Sequence, residues 1–254
     1  MVWSDRLKYI KSLNDMSKIS AHLTLRSASI FLIALSVHLP VPAHAGSELA
    51  SVFESSLREK KATKTPDSVT VSASSESPVD GLIPLPSGWK RIELVFGPHS
   101  GSASNIRNAV NVTLGFFVSE AEAEKPDAIP LCATSVEMRQ LHARMKSGQP
   151  NTKVVIFGPN GQEKNSHDIL VEGADQWFPI YAGRKEAVPF RLVVERASQD
   201  AKSGKFILTD PSGVEAVSEE IEFSSIPAAA RIRLSATQGE GQSLSAKFSS
   251  LTVE

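Results

Sequence analysis

The sequence predicts an all-β protein, a two-sheet antiparallel β-sandwich with room for one short helix. Three observations predict it. From Trp89 onward apolar residues recur with period two in one short segment after another, as in strands with one face in a core and one in water. Turn chemistry punctuates these segments at Gly158-Pro-Asn-Gly161, Asp210-Pro-Ser-Gly213 and Gly239-Glu-Gly241. Cys132 is the single cysteine of the 254 residues, so no internal disulfide exists and stability has to come from a packed core.

Residues 1–45 read as a cleaved secretory segment. Lys18 and Arg26 precede an uncharged apolar run at 30–39, followed by Pro40, Pro42 and the small-residue pattern Ala43-His44-Ala45. That is the order of positive, apolar and cleavage regions. The run is far shorter than the roughly 20 apolar residues of a membrane span, and two prolines close it. A start at Met16 would give the segment the usual length. The expected product begins at Gly46, is soluble and periplasmic or extracellular, and does not span a membrane after cleavage.

Residues 46–81 are expected to be a flexible leader, because 54–80 is rich in Ser, Thr, Lys and Glu and poor in large apolar side chains. Lys60, Lys61 and Lys64 read as a solvated charge cluster. The sandwich is expected over 82–254. Its first strands are 91–96, with Ile92, Leu94 and Phe96 on one face, and 110–118, with Val110, Val112, Leu114, Phe116 and Val118 on one face. Glu120-Ala-Glu-Ala-Glu124 reads as an exposed loop. At 134–146 two patterns compete. Thr134-Ser-Val-Glu137 is a capping box with Met138, Leu141 and Met145 at helical spacing, while Leu141, Ala143 and Met145 alternate as in a strand. A strand suits the sandwich better. Further strands are expected at 153–157, 189–195, 205–209, 219–223, 230–237 and 244–253. In the last, Leu244, Ala246 and Phe248 are out of phase with Leu251 and Val253, which a bulge near Ser249-Ser250 reconciles.

Charge excludes one class of partner. Taking the seven charged residues of the export segment from the 27 basic and 28 acidic residues leaves 22 against 26, a mildly acidic chain without a nucleic-acid footprint.

The succession Pro189-Phe-Arg-Leu-Val-Val-Glu195, Lys205-Phe-Ile-Leu-Thr-Asp-Pro-Ser-Gly213, Ala230-Arg-Ile-Arg-Leu-Ser235 and Ala246-Lys-Phe-Ser-Ser-Leu-Thr-Val253 resembles the later strands of concanavalin A-like, laminin-G-like jelly rolls. The resemblance covers the last third of the chain. It implies a jelly-roll sandwich and a superfamily holding lectins, carbohydrate-binding modules and laminarinase-like glycoside hydrolases. The hydrolase branch carries a Glu-x-Asp-x-x-Glu strand, and no such run occurs here. Glu220 and Glu222, on one side of a strand, form the nearest carboxylate pair, and an exposed strand face accounts for them.

The candidate ligand-binding residues are Asp175, Gln176, Trp177 and Tyr181. An aromatic face packs against the apolar face of a pyranose while neighbouring amide and carboxylate groups bond its hydroxyls. Catalytic residues are not assigned. Cys132 reads as a small buried side chain. His99, His142 and His167 have no zinc-ligand spacing, so no metal or other cofactor is expected; calcium is left open, with His167-Asp168 in a polar turn as one place for it. Asn111-Val-Thr113 is a glycosylation sequon inside an expected strand. The functional expectation is an exported non-enzymatic module that binds a glycan or another extracytoplasmic partner. The alternatives are a secreted glycoside hydrolase or lyase, or a purely structural interaction domain.

Overall fold

Every strand pairing is antiparallel, and the pairs build two sheets. The computed structural model describes residues 45–74, 76–100, 109–139, 150–171, 189–237 and 244–254. Sheet A has the order β1 (Ala62–Thr65), β2 (Ser68–Ala73), β13 (Leu244–Val253), β4 (Arg91–Ser100), β9 (Phe190–Glu195), β10 (Ser203–Thr209), β11 (Glu215–Glu222). Sheet B has the order β3 (Val79–Pro84), β12 (Ala229–Thr237), β5 (Ala109–Phe117), β6 (Cys132–Arg139), β7 (Thr152–Phe157), β8 (Glu163–Ile169). The expected β-sandwich is therefore the fold.

Period two explains how the layers meet. Ile92, Leu94 and Phe96 of β4, Leu192 and Val194 of β9, and Phe206 and Leu208 of β10 are all buried. Val110, Val112, Leu114 and Phe116 of β5 and Ile232 and Leu234 of β12 form the matching inner face of sheet B in the same cluster. The alternate residues of each strand are turned away from this core. The bulge expected near Ser249-Ser250 is present: Phe248 pairs with Phe96 and Ser250 with Val95, leaving Ser249 as the extra residue. Leu251 thereby returns to the buried face.

Trp89 joins the sheets at one end. Its ring stacks on Phe116 at 5.6 Å, and its Nε1 donates to the Pro227 carbonyl at 3.0 Å. The Arg196 guanidinium lies 4.7 Å over the same ring and donates to the Trp89 carbonyl at 2.9 Å. Burial lowers the pKa of Arg196, with Asp200 opposing that shift.

The region 46–81 is a correction to the expected leader. It holds α1 (Ala45–Val52), α2 (Glu54–Arg58), β1, β2 and the start of β3. Leu49 and Phe53 are fully buried, and Phe53 packs against Phe248 at 5.0 Å. Gly81 of β3 permits this, since a Cβ there would stand 2.6 Å from the Phe53 ring. Burying a phenylalanine is worth about 1.5–3 kcal/mol, so a few well-placed apolar residues outweigh a polar average composition. Lys60, with a positive φ, and Lys61, paired with Glu59 at 2.8 Å, stay at the surface.

Two further differences concern short elements. Residues 120–123 form α3 (Glu120–Ala123), capped by the Ser119 hydroxyl accepting from the Glu122 amide at 3.2 Å, with Ala123 buried. At 134–139 the strand alternative holds, as β6; residues 140–146 lie outside the described residues.

Candidate functional site

The outer face of sheet B, opposite the core, sets side chains in rows, the first largely polar and the next largely apolar around one arginine. Register places Asp80, Arg233, Thr113, Ser135 and Val155 side by side across β3, β12, β5, β6 and β7. The next row is Leu82, Arg231, Gly115, Ala133 and Phe157. Each belongs to the outward set of its strand, because the residues between them, such as Leu114 and Ile232, are buried in the core.

The connection from β5 to β6 folds back over these rows, held by two arginines. Arg231, 6% exposed, donates from Nη1 to the carbonyls of Ala123 at 3.0 Å and Lys125 at 2.6 Å, and from Nη2 to that of Ala128 at 3.3 Å. Its guanidinium also lies 4.7 Å from the Phe117 ring. Burial, and then the positive charge of Arg233, lower the pKa of Arg231. Arg233 makes a bidentate pair with Asp80, 2.7 Å for each bond, and donates to the Pro126 carbonyl at 2.8 Å. The Asp80 hydrogen bond, the largest effect, and its negative charge raise the pKa of Arg233 against the opposing effect of burial.

Between the folded-back connection and the strands lies a recess of about 280 Å³. Gly115 forms part of its lining, and a Cβ there would come within 3.3 Å of Phe117 and Pro130. Half-buried Phe157 and Pro130 contribute apolar surface; Thr113, Ser135, Arg231 and Arg233 contribute polar groups. Thr113 Oγ1 donates to Ser135 Oγ at 2.9 Å, which leaves the Ser135 proton for another acceptor.

A larger cleft, about 630 Å³, separates α1 and α2 from β3 and α3. Its charged lining includes long exposed side chains, such as Glu54 and Arg58, 3.9 Å apart with 70% and 73% exposure. Such pairs fix little geometry. The recess on sheet B is the better-organised site because strands set its polar groups.

Comparison with known proteins adds the following. No family model and no curated protein matches the sequence. Among solved structures, the chain is similar to metal-free lectin I-B4 from Griffonia simplicifolia, at 13% identity and TM-score 0.45, over 76% of this chain and 90% of the lectin. It is also similar to a legume lectin-like domain from Entamoeba histolytica, at 12% identity and TM-score 0.40, over 76% and 86% of the two chains. A third is the alginate lyase Aly36B mutant in complex with alginate tetrasaccharide, at 9% identity and TM-score 0.44, over 84% and 91%. Lectins thus stand among the similar structures. At such scores the likeness assigns no function, which has to come from this chain's own residues.

Asp175, Gln176, Trp177 and Tyr181 lie outside the described residues. Cys132 is buried on the inner face of β6 opposite Phe116, and burial pushes its thiol pKa far above the ordinary range against a weaker effect of Lys164. Glu220 and Glu222 are exposed on β11, opposite Lys205 and Ser203. His167 and Asp168 are not in a turn but in β8, a correction with a plain cause: both faces of this edge strand are largely wet, so Glu163-Lys-Asn-Ser-His-Asp-Ile169 shows no alternation. His167 Nε2 lies 2.8 Å from Glu219 Oε1 without hydrogen-bonding alignment, and Asn165 donates to the same oxygen at 2.7 Å. The edges of the two sheets are therefore joined there. Asp168 faces Arg139 at 3.4 Å. Among the described residues no group of three metal-ligating side chains converges.

Sequence reasoning missed Arg231 and Arg233. Their alternation with Ile232 and Leu234 was a signal that both arginines share the outer face of β12.

Proposed function

We propose that the protein is an exported, non-enzymatic module that binds carbohydrate on the outer face of its six-stranded sheet. The recess over Gly115 is the observation that carries this reading: Phe157 and Pro130 line it together with two hydroxyls and two arginines anchored on strands. A sugar ring has an apolar face and a polar rim, which calls for both kinds of surface in one place. Export rests on the charge, apolar run and small residues that precede Gly46. No helix among the described residues is long and apolar enough to cross a membrane.

Catalysis has less support on this face. Asp80 is engaged by Arg233 and Glu137 by Arg139 at 2.6 Å, so these carboxylates are committed to ion pairs. The aromatic segment 175–181 is a second candidate contact for the same ligand.

Retention of the purified protein on a panel of immobilised polysaccharides tests the reading. Phe157→Ala is expected to weaken retention about tenfold, corresponding to some 1.4 kcal/mol. Retention unchanged by Phe157→Ala but lost in Trp177→Ala would move the site to 175–181. Absence of retention on every polysaccharide would remove the carbohydrate reading.

A further inference from the structure

We infer that the recess on sheet B selects sugars bearing an anionic substituent, a carboxylate or a sulfate ester, over neutral ones. The inference rests on the carbohydrate reading and deepens it. Its basis is an inventory of donors and acceptors. The polar side chains lining the recess are Thr113, Ser135, Arg231 and Arg233, and no carboxylate is among them. Arginine has donors only. Arg233 uses Nε and Nη2 on Asp80 and Pro126, and its Nη1 has no protein acceptor among the described residues. Thr113 has turned its proton to Ser135, which leaves the Ser135 proton for a ligand.

Charge points the same way. Two guanidinium groups stand against the single carboxylate of Asp80, which leaves one net positive charge at the recess. Arg231 is 6% exposed and its hydrogen bonds go to backbone carbonyls, so Asp80, already paired with Arg233, offsets it only at a distance. A neutral sugar hydroxyl can donate to the free lone pairs of Thr113 and Ser135 or accept from the arginine, but it gains nothing from the positive charge. An oxyanion accepts from several donors and adds the Coulomb attraction of a partly buried cation, which salt screens less than a surface pair.

Titration calorimetry of the purified protein with three oligosaccharides tests this: an oligogalacturonate, its methyl ester and a sulfated galactan fragment. The expected result is at least about tenfold tighter binding of one or both charged sugars than of the ester. The charged sugar that binds identifies the substituent. R233Q, which takes the net charge at the recess from positive to neutral, should bring that preference to within about twofold. Ser135→Ala, which preserves the ion pair, should weaken the charged sugar more than the ester. Equal binding of ester and charged sugars would overturn the selectivity while the carbohydrate reading stood. A preference that survives both substitutions would also overturn it. Failure of all three sugars, and of the polysaccharide panel, would overturn both.

Discussion

The outer faces of the two sheets are both rich in charge, and they use it differently. On sheet A, Glu93 accepts two hydrogen bonds from Arg191, at 2.6 and 2.7 Å, and a third from Arg91 at 2.6 Å; Arg91 also lies 3.6 Å from Glu195. These charges answer one another within the sheet. On sheet B, Arg231 instead reaches out of the strand layer to backbone carbonyls at 123–128, and Arg233, though paired with Asp80 within the sheet, adds a bond to the Pro126 carbonyl; together they hold that connection over the strands. The first arrangement closes a surface and the second makes a recess. Net charge along a strand does not distinguish the two, whereas the partner of each arginine does.

The largest effect expected from breaking the comparison is at Arg231. Arg231→Ala removes three hydrogen bonds from a buried cation to carbonyls and is expected to cost about 2–4 kcal/mol. Urea unfolding would measure the loss, and hydrogen exchange should show faster opening at 120–130. A cost below about 1 kcal/mol would mean that the arginine does not hold the connection.

Glu93→Gln is expected to cost less, about 0.5–1 kcal/mol, because the network is partly exposed. The Arg191 hydrogen bonds, the largest effect, hold the Glu93 pKa below its usual value. A carboxyl lowered on folding contributes its full stability above the unfolded pKa, near about 4.3, and loses it as pH falls through the lower folded value. Acidification from pH 6 to 3 should therefore narrow the gap between the Gln variant and the parent protein. A gap independent of pH would show that the carboxylate charge is not what matters.

The smallest effect is at the seam between the sheet edges, where Glu219→Gln should cost only a few tenths of a kcal/mol in thermal unfolding.

Much of this architecture can be read from particular residues. Ile92, Leu94 and Phe96, and the Phe248 to Leu251 phase break, announce strands and a bulge because one face of each is buried. The misread leader carries the same signal in weaker form. Leu49 and Phe53 lie one helical turn apart, and Val69 and Val71 alternate, but serines and lysines around them dominate the average. β8 was illegible for a different reason, since an edge strand without a buried face has no pattern to display. In the candidate site, sequence shows that Arg231 and Arg233 share a face but not what they bind. The carbonyls that accept from them are more than 100 residues away in the chain, and their approach follows from the sheet order.

That sheet order also sets a timetable. β12 and β13 follow all the other described strands in chain order, yet β13 lies between β2 and β4, and β12 between β3 and β5. Neither layer can close around its own middle until β12 and β13 have been synthesised, so β2, β3, β4 and β5 wait with open edges.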